Sequence, residues 1–127
     1  MLTRLMTVYC SAPMDKLNDY YILSSKLEYA EYIHLYIPPY NDYPEHVYVF
    51  ADLALLEKCD VLVCHIPFPS VGACTELGFF KAKKPHSPVI AYNCMEHGWL
   101  KHLCNFHCTT LDEVAKLLDA LYDSMSR

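Results

Sequence analysis

The chain is predicted to fold as one α/β domain, with a doubly wound, mostly five-stranded parallel sheet covered by helices on both faces. Five short apolar runs alternate with helix-periodic segments along its 127 residues, and this alternation is typical of parallel sheets. The runs are apolar at nearly every position, as expected for strands that are buried on both faces. The length suits one domain, and the sequence contains no internal repeat, linker or low-complexity tract.

The first half of the chain predicts two strands, at residues 5–10 and 32–37, separated by a helix over 14–30. Ser11 is placed to cap this helix. Pro38 and Pro39 end the second strand. The polar segment 38–46 that follows is rich in Tyr and Pro and is too long for a simple connection, so it is a candidate rim of a ligand site.

The second half predicts a helix over 47–59 and a strand over 61–66, where β-branched residues are frequent. Pro67 and Pro69 then turn the chain into another helix. Further strands are predicted at 89–92 and 106–109, with a short helix at 95–103 between them. Thr110 and Glu113 have the spacing of a capping box that opens a last amphipathic helix. The resulting order is that of flavodoxin-like or Rossmann-like sheets.

Charge and composition exclude several partners. The net charge is −5 and the basic residues form no stripe, so no nucleic-acid partner is expected. No apolar run reaches the length of a membrane span, and the amino-terminal residues lack a signal-peptide core, so we expect a cytoplasmic protein with no membrane partner. The turn after the first strand has no glycine and no P-loop exists in the chain, so neither a dinucleotide nor a nucleoside triphosphate cofactor is predicted.

The seven cysteines are an odd number scattered through the expected core, which favours reduced thiols over disulfides. One cluster has the spacing of metal-ligand pairs: Cys94 with His97, and Cys104 with His107, with His102 and Cys108 nearby. The segment between the pairs is shorter than in zinc fingers. We therefore predict packed thiols and surface imidazoles with no metal, and a zinc-stabilised interaction domain remains the alternative.

Glu76 is the acidic residue whose position is most informative. It follows a buried strand and falls near the start of the next helix, at the sheet edge where open α/β domains bind ligands. Free N–H groups at the helix start, together with Ser70, are expected to form a cradle for an anion or hydroxyl group. A carboxylate there can act as a nucleophile or general base. The alternative is an acidic residue that merely favours the helix dipole.

The central third of the chain resembles the nucleoside 2-deoxyribosyltransferase superfamily. The resemblance rests on the motif Asp52-Leu-x-x-Leu-x-x-x-Asp60, followed by an apolar strand, Pro69-Ser70-x-Gly72 and Glu76-Leu-Gly. The spacing is most similar to that of the Rcl-type 2′-deoxynucleoside 5′-monophosphate N-glycosidases. The first strand, the Lys84-Pro85 turn and the late strand with its amphipathic helix also fit the resemblance. It implies an enzyme of nucleotide metabolism whose substrate is a small nucleoside or nucleotide.

The resemblance implies a role for each matching residue. Glu76 matches the carboxylate that attacks the anomeric carbon, Asp52 the acid that helps the base to leave, and Tyr9 a tyrosine near the sugar and the nucleophile. Ser70 and Gly72 match the loop that holds the 5′ end, and we expect Ser11 and Met14, in the turn after the first strand, to contact the substrate as well. From the residues alone, Asp52 could be a solvated helix residue and Tyr9 a core aromatic. Asp60 is predicted to be structural.

Two departures leave the substrate open. The Rcl-type enzymes clamp phosphate with an Arg-Gly-Gly stretch after the first strand, whereas this chain has Ala12 to Lys16 there. This departure counts against a 5′-monophosphate substrate and leaves free deoxynucleosides plausible, and the acceptor is either a second base or water. Superfamily members complete their site with a neighbour's residues, so the resemblance implies a homodimer or higher homo-oligomer. The alternative function is a catalytically inactive nucleotide-binding or sensing module on the same fold.

Overall fold

The structure is a computed structural model that describes residues 4–38 and 45–126. Its strands are β1 (Met6–Ser11), β2 (Ile33–Tyr36), β3 (Val61–Cys64), β4 (Val89–Tyr92) and β5 (Phe106–Cys108). Its α-helices are α1 (Asn18–Leu23), α2 (Glu45–Lys58), α3 (Val71–Lys83), α4 (Gly98–Leu103) and α5 (Leu111–Met125). Single 3-10 turns, Met14–Lys16 and Ser24–Lys26, flank α1. None of the described helices is long and apolar enough to cross a membrane.

The five strands form one parallel sheet in the order β2-β1-β3-β4-β5. The predicted fold class, a doubly wound flavodoxin-like domain, is confirmed. The order reverses direction between β1 and β3, so the carboxyl ends of these two strands flank the crevice where such sheets bind ligands. The register pairs Tyr9 with Tyr36 across β1 and β2, and Ser11 with Cys64 across β1 and β3.

A separate hydrophobic layer covers each face of the sheet. On one face Val8, Cys10 and Val63 pack with the apolar sides of α1 and α5. On the other face Tyr9 and Leu62 pack with α2, α3 and α4. Successive strand residues point to opposite faces, so the odd-numbered residues at the end of β1 turn toward α2 and α3. This alternation of side chains along β1 determines which of them can contact Glu76.

Several predicted boundaries are wrong. The helix expected over 14–30 is interrupted, because only Asn18–Leu23 is α-helical between two 3-10 turns. Ser11 caps no helix, since it is the last residue of β1. The helix expected over 95–103 begins only at Gly98, where the ring of His97 accepts a hydrogen bond from the Trp99 N–H group. Most of the loop predicted to form a ligand rim, residues 39–44, lies outside the described residues.

The predicted capping box of α5 is confirmed in its main contact. The Thr110 hydroxyl accepts a hydrogen bond from the Glu113 N–H group at 3.2 Å. The Glu113 carboxylate in turn accepts from the Thr109 hydroxyl at 2.7 Å and lies 3.3 Å from the Thr109 N–H group. These contacts satisfy donors that the first turn of a helix otherwise leaves unpaired.

Asp60 is structural, as the sequence predicted. It joins the end of α2 to β1, because its carboxylate accepts a hydrogen bond from the Thr7 N–H group at 3.0 Å and pairs with the Arg4 guanidinium. The Asp60 N–H group donates to the Thr7 carbonyl at 2.8 Å. The carboxylate side chain is only 12% exposed, so water cannot easily replace it.

We predict that Asp60→Ala lowers the free energy of unfolding by about 2 kcal/mol, because it leaves the Thr7 N–H group without its acceptor. Urea unfolding followed by circular dichroism measures this change. The control is Asp15→Ala, at an exposed position, for which a change within about 0.5 kcal/mol is expected. Equal effects of the two substitutions would show that Asp60 does not anchor the sheet.

Candidate functional site

Glu76 lies in the second turn of α3, since the helix begins at Val71. The sequence placed it nearer the helix start, where free N–H groups were expected to cradle a ligand. No acidic residue lies in the first turn of α3, so the helix dipole does not account for Glu76. Its position instead brings the carboxylate over the carboxyl end of β1.

Two hydroxyl groups of β1 hold the Glu76 carboxylate. The Ser11 hydroxyl donates to Oε1 at 2.6 Å, and the Tyr9 hydroxyl donates to Oε2. Tyr9 and Ser11 are two residues apart on one strand, so both point to the face that α3 covers. Each carboxylate oxygen retains a further acceptor position. The carboxylate is therefore fixed in orientation while still able to meet another group.

The surroundings of Glu76 raise the pKa of its carboxyl group. Burial raises the pKa of Glu76 above its ordinary value, and the hydrogen bonds from Ser11 and Tyr9 offset part of this rise. The negative charge of Asp52 raises the pKa of Glu76 further. Burial and the Glu76 carboxylate also raise the pKa of Tyr9, so the Tyr9 hydroxyl keeps its proton and acts as a donor.

Asp52 projects from α2 and is bound by Tyr36 of β2. The Tyr36 hydroxyl donates to Asp52 Oδ1 at 3.2 Å. Burial raises the pKa of Asp52, and the bond from Tyr36 partly lowers it. Burial followed by the charge of Asp52 raises the pKa of Tyr36 to about 12.

The two tyrosines connect the acid pair. Their ring centroids lie 5.3 Å apart with a tilt of 36°, because Tyr9 and Tyr36 are register partners in neighbouring strands. The charges of Asp52 and Glu76 each affect the pKa values of both tyrosines. The structure thus brings together Glu76, Asp52 and Tyr9, the three residues that the resemblance assigned to catalysis, and adds Tyr36 and Ser11.

The loop before α3 leaves its backbone accessible. Ser70 is the N-cap residue of α3, but its side chain makes no capping hydrogen bond. Gly72 is exposed, and a Cβ atom added there would meet no atom within 4 Å. Its backbone has no positive φ, so neither strain nor packing within the chain requires glycine. The contact of Ser70 and Gly72 with the 5′ end of a substrate stays a prediction.

The burial of Ser11 and Tyr9 bears on two predictions, the substrate contact of Ser11 and the catalytic place of Tyr9 near the sugar and the nucleophile. Ser11 is 1% exposed and its hydroxyl is bonded to Glu76, so its surface cannot meet a substrate. Tyr9 is fully buried, and its contact is likewise with the carboxylate. Both residues position Glu76. Met14 is 51% exposed in the turn after β1, and remains a predicted contact.

The Cys and His pairs do not converge on a common point. The His97 ring caps α4, and His107 Nε2 lies 3.2 Å from the Lys101 carbonyl. Cys104 is buried with its sulfur 3.8 Å from that of Cys64. Within residues 4–38 and 45–126, no group of three or more His, Cys, Asp or Glu side chains is arranged to hold a metal ion. The seven cysteines, all in this part of the chain, are free thiols.

Tyr36 is the site residue that the sequence analysis missed. The strand at 32–37 was predicted, but its register against β1 was not, and the register is what brings Tyr36 beside Tyr9. A tyrosine at the carboxyl end of a strand next to β1 was the available signal. Because ligand-binding side chains lie at that edge of the sheet, Tyr36 could have been considered a candidate site residue together with Asp52.

Comparison with known proteins identifies the fold. No protein-family model matches the sequence, and no curated protein is significantly similar to it. A conserved protein from Enterococcus faecalis V583 is similar in structure, with a TM-score of 0.59 and 19% identity over 95% of this chain and 99% of that one. The N-terminal receiver domain of NtrC has a TM-score of 0.50 and 17% identity, with both chains fully covered. At these identities the likeness concerns the fold alone.

The burial of Glu76 predicts how stability depends on pH. The folded-state pKa is raised, so ionisation favours the unfolded chain, and stability falls as pH rises from the ordinary carboxyl range through the raised pKa. Glu76→Gln cannot ionise. The free energy of unfolding of the unsubstituted chain, relative to Glu76→Gln, should therefore decrease as the pH rises above the ordinary carboxyl range of about 4.

Urea unfolding at several pH values measures this difference. Glu57→Gln, at an exposed position of α2, is the control and should change stability little at any pH. A difference between the unsubstituted chain and Glu76→Gln that stays constant over this range would contradict the inferred desolvation of Glu76.

Proposed function

We propose that the protein cleaves the N-glycosidic bond of a (2′-deoxy)nucleoside or its 5′-monophosphate through a covalent glycosyl ester on Glu76. The observation that carries the proposal is the Glu76 carboxylate, oriented by two hydroxyl donors and electrostatically coupled to the second acid, Asp52. The sequence resemblance to the nucleoside 2-deoxyribosyltransferase superfamily supplies the reaction class. The fold places both acids at the sheet edge where ligands bind.

Glu76 acts as the nucleophile. As the bond from the anomeric carbon to the base lengthens, positive charge develops on the sugar, and a nearby carboxylate stabilises that charge before it bonds to the carbon. The hydrogen bonds from Tyr9 and Ser11 keep the attacking carboxylate from rotating. The carboxylate therefore arrives already oriented, which lowers the entropic cost of the step.

Asp52 acts as the acid that assists the departing base. A base leaves more readily when its nitrogen is protonated or hydrogen-bonded as the bond breaks. The reactive form of the acid pair consequently holds one proton, with Glu76 ionised and Asp52 protonated. Because the two groups interact, their titration belongs to the pair, and the rate should pass through a maximum with pH.

The second half of the reaction releases the sugar from Glu76. A second base in the vacated site attacks the anomeric carbon and gives a transferase, whereas water in the same place gives a hydrolase. Exclusion of water from the closed site decides between them. The stretch from Ala12 to Lys16 has a single cation, Lys16, so the substrate set includes free nucleosides as well as monophosphates.

We further propose a homo-oligomer, by analogy with the superfamily. Exposed apolar side chains support an association surface: Phe50 of α2 is 73% exposed and Val71 of α3 is 87% exposed. Val47, also on α2, is 47% exposed. Large exposed apolar side chains can mark interfaces where they form a contiguous patch, and α2 and α3 also carry the two acids.

Replacement of Glu76 tests the proposed nucleophile. We predict that the protein releases free base from at least one deoxynucleoside or deoxynucleoside 5′-monophosphate, and that Glu76→Ala lowers kcat/KM by at least about 10³-fold with its fold retained. Asp52→Asn should lower it roughly 10²–10⁴-fold. Chromatography of the released base, with and without a second base, measures both activity and transfer.

The control for these variants is Glu57→Ala, at an exposed position on the helix that carries Asp52, and it should keep full activity. Full activity of Glu76→Ala would refute the mechanism. Binding of nucleotides without release of base from any substrate would instead favour a catalytically inactive nucleotide-binding module.

Removal of the Tyr36 hydroxyl tests the role of Asp52. The bond from Tyr36 lowers the pKa of Asp52, so Tyr36→Phe should raise that pKa. Since Asp52 must be protonated, the alkaline limb of the kcat/KM profile should shift to higher pH. Tyr21→Phe, at a position 62% exposed on α1, should leave the profile unchanged. An unchanged or downward-shifted limb in Tyr36→Phe would exclude Asp52 as the proton donor.

A further inference from the structure

A cavity of about 750 Å³ lies at the carboxyl ends of β4 and β5, and we refer to it as the β4–β5 cavity. Its volume is in the range of sites that bind small molecules. Apolar side chains of Ala91 in β4, Met95 in the segment that follows, and Leu100 in α4 form part of its lining. Neither Glu76 nor Asp52 lines the cavity, so the proposed glycosidase chemistry does not use this space.

Backbone hydrogen bonds between neighbouring segments fix the walls of the β4–β5 cavity. The Asn93 N–H group donates to the Cys108 carbonyl at 2.8 Å, which joins the segment after β4 to the end of β5. The Met95 N–H group donates to the Ile66 carbonyl at 2.8 Å, which joins the same segment to the one after β3. The cavity is therefore formed by the fold itself, and a ligand would not have to order these segments on binding.

The backbone of Asn93, which lines the cavity, has an uncommon conformation. Among the described residues, Asn93 is the one non-glycine residue with a positive φ, at 44°. Side chains other than glycine seldom adopt this left-handed conformation, although asparagine does so more readily than most. Such conformations are concentrated at ligand-binding and active sites. The turn directly after β4 is thus a second observation, besides the cavity, that favours a ligand site here.

Two imidazole rings line the cavity with defined hydrogen-bonding atoms. His97 Nδ1 accepts a hydrogen bond from the Trp99 N–H group at 3.2 Å, so Nε2 carries the proton of the neutral ring and is a donor. His107 Nε2 lies 3.2 Å from the Lys101 carbonyl, which can only accept, so Nε2 is the protonated nitrogen of that ring. His97 therefore offers an N–H donor to a ligand in the cavity.

Lys101 supplies the positive charge of the β4–β5 cavity. Within residues 4–38 and 45–126, neither of the two salt bridges includes its ammonium group. Glu96 is the one carboxylate among the described lining residues, and it does not pair with Lys101. An ammonium group that no carboxylate neutralises, together with an imidazole N–H donor, is suited to bind the oxygens of an anion.

We propose that the β4–β5 cavity binds a small organic anion, in which a phosphate or carboxylate group is attached to an apolar body. The Lys101 ammonium and the His97 N–H group bind the anionic oxygens, and Met95 and Leu100 contact the apolar part. The proposal rests on the cavity, its fixed walls and its unneutralised cation. It does not depend on the proposed glycosidase function.

The fluorescence of Trp99, the single tryptophan of the chain, tests the proposal because its N–H group is bonded to the His97 ring. The full chain is titrated with phenyl phosphate, with benzoate and with uncharged benzyl alcohol at equal ionic strength. At least one of the two anions should change the fluorescence saturably, with a dissociation constant at least about tenfold below that of the alcohol. The anion with the lower dissociation constant shows whether phosphate or carboxylate is the preferred group.

Substitutions at the two charged lining residues test the recognition of the anion. Lys101→Ala should raise the dissociation constant at least about fivefold, because it removes a charge-assisted hydrogen bond. Glu96→Gln should lower the dissociation constant roughly twofold or more, because it removes the repulsion between like charges. Circular dichroism confirms that each variant is folded.

The matched control is Lys16→Ala. Lys16 is also exposed, does not line the cavity and lies in the turn after β1, so its removal should leave the dissociation constant unchanged. No saturable binding of either anion, equal affinity for the alcohol, or unchanged affinity in Lys101→Ala would overturn the proposal. Weaker binding in Lys16→Ala alone would also overturn it, because the anion would then lie at the proposed glycosidase site.

Discussion

The orientation of one carboxylate by two hydroxyl groups is the constraint on which the candidate site depends. Tyr9 and Ser11 are adjacent on one face of β1, and α3 carries Glu76 over that face. Neither hydroxyl faces solvent, because Tyr9 and Ser11 are buried. Within the described part of the chain, both hydroxyl groups donate to the Glu76 carboxylate. The sheet thus fixes the orientation of a carboxylate that a solvent-exposed loop would leave free to rotate.

This arrangement has an energetic cost. Burial and the nearby Asp52 charge both oppose ionisation of Glu76, and two hydrogen bonds offset only part of that opposition. A chain selected for stability alone would place an amide or an apolar residue here. Groups that destabilise the fold but remain oriented are common at functional sites. The same reasoning applies to Asp52, whose burial is only partly offset by Tyr36.

The sequence was sufficient for the fold class because alternation of apolar runs and helical periods leaves few topologies. The spaced motif brought Glu76 and Asp52 together as candidates, and the structure places them in one network. The hydrogen-bond partners of Glu76 could not be predicted from the sequence. They depend on which β1 side chains face α3 and on the helical turn of α3 in which Glu76 lies. Tyr36 required the register between β1 and β2. The contact between the Cys64 and Cys104 sulfur atoms joins residues 40 positions apart, a proximity that no local spacing reveals.

The most direct test of the account is to trap and locate the covalent intermediate. A nucleoside with fluorine at the 2′ position destabilises the oxocarbenium-like state and slows breakdown of the glycosyl ester, so the ester should accumulate. Peptide mapping of the acid-quenched protein should then find the fluorinated sugar on Glu76 and nowhere else. Release of base without a sugar on Glu76, or a sugar on another carboxylate, would contradict the account.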